Sequence, residues 1–119
     1  MNCALLTVNF RPTRLYTSSR MWILRSQEPA VAFRLLPGDI RTIGRATGAQ
    51  FVLEAPLVSR VHCRLTCSRD GLLTVEDLGS TNGTSVDSAR IDRAVALQSG
   101  QILTVGRVEF EVLRAEGTS

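Results

Sequence analysis

Two arginines, a run of hydroxyls, one histidine and one amide fall into three short polar clusters that interrupt apolar, strand-like runs. These are Gly44-Arg45, Ser59-Arg60-Val61-His62 and Asp77-Leu78-Gly79-Ser80-Thr81-Asn82-Gly83-Thr84. The set suits a phosphate. A phosphorylated side chain carries nearly two negative charges and three acceptor oxygens, so its receptor needs forked Arg donors and small hydroxyls converging on one point. A hydrolase is the competing chemistry, with Ser59 as nucleophile, His62 as base and Asp77 as orienter. Against it, no Gly-x-Ser-x-Gly elbow occurs, because residues 79–83 read Gly-Ser-Thr-Asn-Gly. A strand-and-loop layout also does not oblige Ser59 and His62 to face each other.

The elements that must position these clusters are short. Apolar runs separated by turn signals predict strands at 21–25, 31–36, 40–43, 51–53, 62–67 and 72–76. Shorter ones follow around 85–86, 90–91 and 95–97, and a last pair spans 101–105 and 108–112. Pro37-Gly38 turns the chain, Pro presetting one φ and Gly accepting the positive one. Ser68-Arg69-Asp70-Gly71 closes a hairpin. Gly106-Arg107 is a two-residue loop, after which Val108, Phe110 and Val112 share one face and Glu109 and Glu111 the other. No stretch keeps a 3.6-residue period long enough for a helix. The fold class is therefore all-β: a two-sheet antiparallel β-sandwich of about eleven short strands, whose loops, not its core, carry function.

At 119 residues and 44% hydrophobic content the chain is read as one domain with a single core. No apolar stretch approaches the ~20 residues that span a bilayer, so no membrane is called for. All 14 basic residues are Arg, which excludes the Lys-dependent P-loop and Schiff-base chemistry. A net charge of +3 keeps a basic, nucleic-acid-associated β domain as the second reading. Cys3, Cys63 and Cys67 form no Cys-x-x-Cys pair. On one strand Cys63 and Cys67 lie about 13 Å apart at ~3.3 Å per residue, beyond disulfide reach. They read as buried thiols in a reducing compartment. One His and scattered Cys lack metal-ligand spacing, so neither a metal nor a cofactor is expected.

Residues 1–20 carry Arg11, Arg14 and Arg20, no acid, and the cluster Thr17-Ser18-Ser19. They are read as a disordered or transit-like extension, with the domain at 21–114 and a tail at 115–119. Asn82-Gly83-Thr84 also matches an N-glycosylation sequon, set aside because no secretory signal accompanies it.

In order and spacing the three clusters resemble the forkhead-associated (FHA) domain, a phosphothreonine-peptide-binding β-sandwich, over residues 21–113. The resemblance implies that Ser59 donates its hydroxyl to the phosphate and Arg60 pairs with it, while Arg45 contacts the phosphate or the peptide main chain. It puts Thr81 close to the phosphate and Asn82 on the peptide backbone at both sides of the modified residue. Gly44, His62 and Gly83 become structural support; the strand position of His62 itself places the ring inward, where one nitrogen can hold a loop carbonyl. The implied role is a non-enzymatic adaptor for phosphothreonine-containing partners of a Ser/Thr kinase pathway, cytoplasmic, or nuclear in a eukaryote. Three departures from the family pattern matter. Val61 replaces a usually polar or basic residue. Ser85, Asp87 and Ser88 stand where relatives often have an aromatic, Asn and Gly, which puts the following turn in question. Leu57 suggests an apolar preference C-terminal to the phosphothreonine.

Overall fold

The computed structural model describes residues 21–115. The expectations for residues 1–20, Cys3 among them, and for the chain after Ala115 lie outside the described residues. Eleven strands follow one another: β1 (Met21–Gln27), β2 (Ala30–Leu35), β3 (Ile40–Gly44), β4 (Phe51–Val52), β5 (Cys63–Cys67), β6 (Leu73–Asp77), β7 (Thr84–Val86), β8 (Ala89–Arg90), β9 (Val95–Leu97), β10 (Ile102–Val105) and β11 (Val108–Ala115). They form a six-stranded sheet, β2-β1-β11-β10-β7-β8, and a five-stranded sheet, β4-β3-β5-β6-β9. Strand limits agree with those read from the sequence to within two residues, except that β11 runs three residues beyond the expected 112. Among the described residues no helix is long and apolar enough to cross a membrane.

One pairing departs from the antiparallel expectation. Strands β3 and β4 run parallel, with Ile43 opposite Phe51. The reason is a side-chain clamp: Gln50 Oε1 accepts the Thr42 N–H at 2.8 Å and the Thr42 hydroxyl at 3.0 Å. Residue 50 is thereby drawn back beside residue 42, and the chain must climb alongside β3 again. Leu53 N–H then donates to Gly44 O at 2.8 Å, fixing that direction.

The core lies between the sheets. Leu24, Leu35, Ile43, Leu65, Leu73, Val75, Leu103, Val105, Phe110 and Val112 are fully buried. Each such side chain contributes about 1.5 to 3 kcal/mol of burial. Strand β11 alternates as its sequence requires, with Glu111 outward and paired to Arg25 at 2.8 Å. At the open side Phe33 of β2 stacks on Phe51 of β4, ring centroids 4.4 Å apart, and closes the seam between the sheets. Cys63 and Cys67 face inward from β5 as free thiols. Burial, reinforced by the charge of Asp77, pushes the Cys63 thiol up to about 12. Burial raises Cys67 as well. Neither is a reactive thiolate near neutral pH.

Candidate functional site

The C-terminal ends of β3, β6 and β10 and the starts of β5, β7 and β11 meet at one pole of the sandwich. Gly44 ends β3 there, buried beneath the segment from Ser59 to Arg60. A Cβ at Gly44 would stand 2.1 Å from the Arg60 carbonyl oxygen, so no larger residue passes at this point. The next two residues tie the first cluster to the second: Arg45 N–H donates to Ser59 O at 2.9 Å and Ala46 N–H to Arg60 O at 3.2 Å. Arg45 Nε also donates to Val58 O at 3.0 Å, which orients its guanidinium. Both Arg45 and Arg60 are exposed. Among the described residues neither has a carboxylate within ion-pair distance, whereas Arg25, Arg41, Arg64 and Arg93 each do.

His62, fully buried, joins the second cluster to the third. Its Nδ1 accepts the Ser59 backbone N–H at 3.0 Å. The proton therefore sits on Nε2, which donates to Gly83 O at 2.8 Å. The strand position read for His62 predicts an inward ring holding a loop carbonyl, and the other nitrogen holds a second loop besides. This has a chemical consequence. With both nitrogens committed to backbone groups, the ring is not placed to take a proton from Ser59 Oγ. That hydroxyl instead accepts the Thr81 N–H at 3.0 Å, and its own proton stays available to donate.

The third cluster is organised by Asp77. Its Oδ2 accepts the N–H groups of Gly79 and Ser80, each at 3.1 Å. Its Oδ1 accepts the hydroxyls of Ser80 at 2.5 Å and Thr84 at 2.7 Å. Ser80 Oγ in turn accepts the Gly83 N–H at 2.9 Å. Partial burial works against ionisation and is the largest single influence on Asp77. The hydroxyls of Ser80 and Thr84, the Ser80 amide and nearby His62 together outweigh it and hold the carboxyl below its ordinary value. Sequence reasoning gave Asp77 no part in the binding site; an Asp followed at two and three residues by Gly and Ser is an Asx-turn signal that identifies it.

Thr81 and Asn82 are exposed at the tip of this loop. Asn82 Nδ2 donates to Leu57 O at 3.0 Å. The same Leu57 carbonyl lies 2.5 Å from where a Cβ of Gly106 would be, and Gly106 N–H donates to Gly83 O at 3.2 Å. Gly106, read only as a hairpin residue, is thus a strut of the site. No local signal announces it, because its partners are remote in sequence. All five expected ligand-contacting residues and all three expected supports come together at this pole. Hollows of about 320, 530 and 350 Å3 lie elsewhere, and none is lined by Arg45, Ser59, Arg60, Thr81 or Asn82. The site is an open polar surface across which an extended chain can lie.

The departures also have places. Val61 is 48% exposed beside Arg60 and presents only aliphatic surface there. The turn put in question by Asp87 and Ser88 does form. Both residues take positive φ, 49° and 71°, as the two central residues of a hairpin between β7 and β8. Asp87 is held there by its N–H to Ile102 O at 2.8 Å and by its Oδ1, which accepts the Ile102 N–H at 2.9 Å.

A family model described as FHA domain matches residues 41–106, a span that holds every residue of this site. The FHA domain-containing protein FhaB of Mycobacterium tuberculosis is 40% identical over 70 residues, covering 59% of this chain and 44% of FhaB. The ABC transporter ATP-binding/permease protein Rv1747 of the same organism is 37% identical over 101 residues, covering 85% of this chain and 11% of that protein. This chain therefore spans less than half the length of either relative. Among solved structures, Mycobacterium tuberculosis EmbR in complex with a low affinity phosphopeptide superimposes with a TM-score of 0.72 at 27% identity, covering 83% of this chain and 26% of that one.

Proposed function

The chain belongs to the FHA domain family, and from that premise we propose that it docks phosphothreonine-bearing segments of partner proteins as a non-catalytic adaptor in Ser/Thr-kinase signalling. The reading rests on one observation above all: Arg45, Ser59, Arg60, Thr81 and Asn82 converge on one pole, and neither arginine has an ion-pair partner among the described residues. In this reading Ser59 and Arg60 bind the phosphate, with Arg45 on the phosphate or the peptide main chain and Thr81 beside it. Asn82 exchanges its bond to Leu57 O for the peptide backbone. Gly44, His62 and Gly83 hold the loops in that arrangement. The functional unit is residues 21–114, and its kinase-dependent partners are inside the cell.

Calorimetric titration with a phosphothreonine peptide tests this. Binding is expected to vanish on dephosphorylation, and phosphothreonine to exceed phosphoserine by about fourfold through one buried methyl, worth ~0.8 kcal/mol. Arg45→Ala and Arg60→Ala should each cost about 1.5 to 3 kcal/mol of binding at an unchanged melting temperature. Wild-type affinity in both variants discards the assignment. A nucleic-acid role would instead give steep salt dependence and indifference to dephosphorylation.

A further inference from the structure

We propose that the phosphate pole has a flanking subsite for an acidic side chain of the same ligand, read by Arg90. This deepens the phosphopeptide reading and rests on it. Strand β8 brings Arg90 opposite Ser85, and the Ile91 N–H, donating to Thr84 O at 3.0 Å, pins the end of β8 beside the start of β7. The side chain then folds over Gly83. A Cβ built on Gly83 would fall 2.6 Å from Arg90 Nε and 2.8 Å from its Cζ, so the guanidinium occupies the space that Gly83 leaves open. Gly83 adjoins Asn82, the residue assigned to the peptide backbone. The forked donor set of Arg90 consequently borders the path that an extended ligand takes.

Charge makes the case specific. Arg90 is exposed and has no ion-pair partner among the described residues. The neighbouring carboxylates are engaged elsewhere: Asp92 with Arg93 at 3.5 Å, Asp87 with the Ile102 N–H and Gln101, and Asp77 with Ser80 and Thr84. A planar guanidinium in that state fits a carboxylate oxygen pair. Because Arg90 is open to water, the gain is modest and sensitive to salt. Leu57 and Arg90 then read different ligand residues, one by apolar contact and one by charge.

The test uses fluorescence anisotropy with alanine-flanked phosphothreonine peptides in which a single glutamate is walked through the flanking positions. Wild type is expected to bind the glutamate peptide about two- to fivefold tighter at one position or an adjacent pair. The preference should disappear in Arg90→Gln, and in about 1 M salt, where the Debye length is about 3 Å. It should persist in Arg34→Gln, which removes a remote β2 charge that also has no ion pair among the described residues. A preference retained in Arg90→Gln, a glutamate effect equal at all positions, or equal weakening of every peptide in that variant overturns the subsite alone. Failure of wild type to bind any phosphopeptide overturns the phosphopeptide reading and the subsite with it.

Discussion

At the pole away from the site, two turns carry local side-chain bonds of their own, while the Gly38 N–H also reaches Cys67 O and the Trp22 Nε1–H reaches Gly71 O. The Leu36 N–H reaches Asp39 Oδ2 three residues on, and the Leu72 N–H reaches Ser68 Oγ four residues back. At the site pole, besides the local bonds of Asp77, polar side chains of separate loops are tied to one another: His62 to Gly83 spans 21 residues, Thr81 to Ser59 spans 22, and Asn82 to Leu57 spans 25. The far pole also leaves Leu36, Ile40 and Leu72 about half exposed. A polar site assembled from three loops must be closed by folding itself, after which its donors stand in position for a ligand without further ordering cost.

The contrast is open to direct attack, most strongly at His62. His62→Ala should cost about 3 kcal/mol or more, because the part-buried Ser59 N–H loses its partner, the Gly83 carbonyl keeps only its longer bond from the Gly106 N–H, and a cavity is left behind. Ser68→Ala, which removes the two local, exposed bonds of that hydroxyl to the Leu72 N–H and to Asp70, should cost about 1 kcal/mol or less. Urea denaturation compares the two, and equal losses would break the distinction between long-range and local closure. A smaller effect of opposite sign is expected at the β7–β8 turn. Ser88→Gly should raise stability by about 1 kcal/mol, since glycine takes a positive φ without the Cβ penalty. A loss there would mean that the Ser88 hydroxyl supports the turn.

The smallest effect concerns pH. Asp77 has its carboxyl held below the ordinary 3.8, so the stability it contributes is present above that value and is lost as pH falls through the lower folded value. Wild type should therefore lose stability more steeply than Asp77→Asn below about pH 4. Parallel acid profiles of the denaturation midpoint would remove Asp77 from its organising role.

Much of this was legible in the sequence because much of it is local. Alternation in β11, the positive φ of Gly38 at 92° and the hairpin at Gly106 each follow from a few adjacent residues. The parallel turn-back of β4 was not legible, since it depends on Gln50 reaching Thr42. Neither was the role of Gly106, whose contact with Leu57 joins loops far apart in the chain. Asp77 lies between these cases: its spacing to Ser80 signals a turn, but its bond to Thr84 ties that turn into β7.

By itself the sequence determined an inventory and a set of strand limits: phosphate-suited donors in three clusters, two-residue alternation and turn residues at the right intervals. Only the tertiary structure decided that the clusters share one pole, which nitrogen of His62 carries the proton, and that Arg45 and Arg60 stand without a carboxylate among the described residues. The reason is the reach of the interactions. Strand alternation and turn chemistry act over two to four residues, whereas the site is made by bonds across more than twenty, and those exist only once the two sheets have packed.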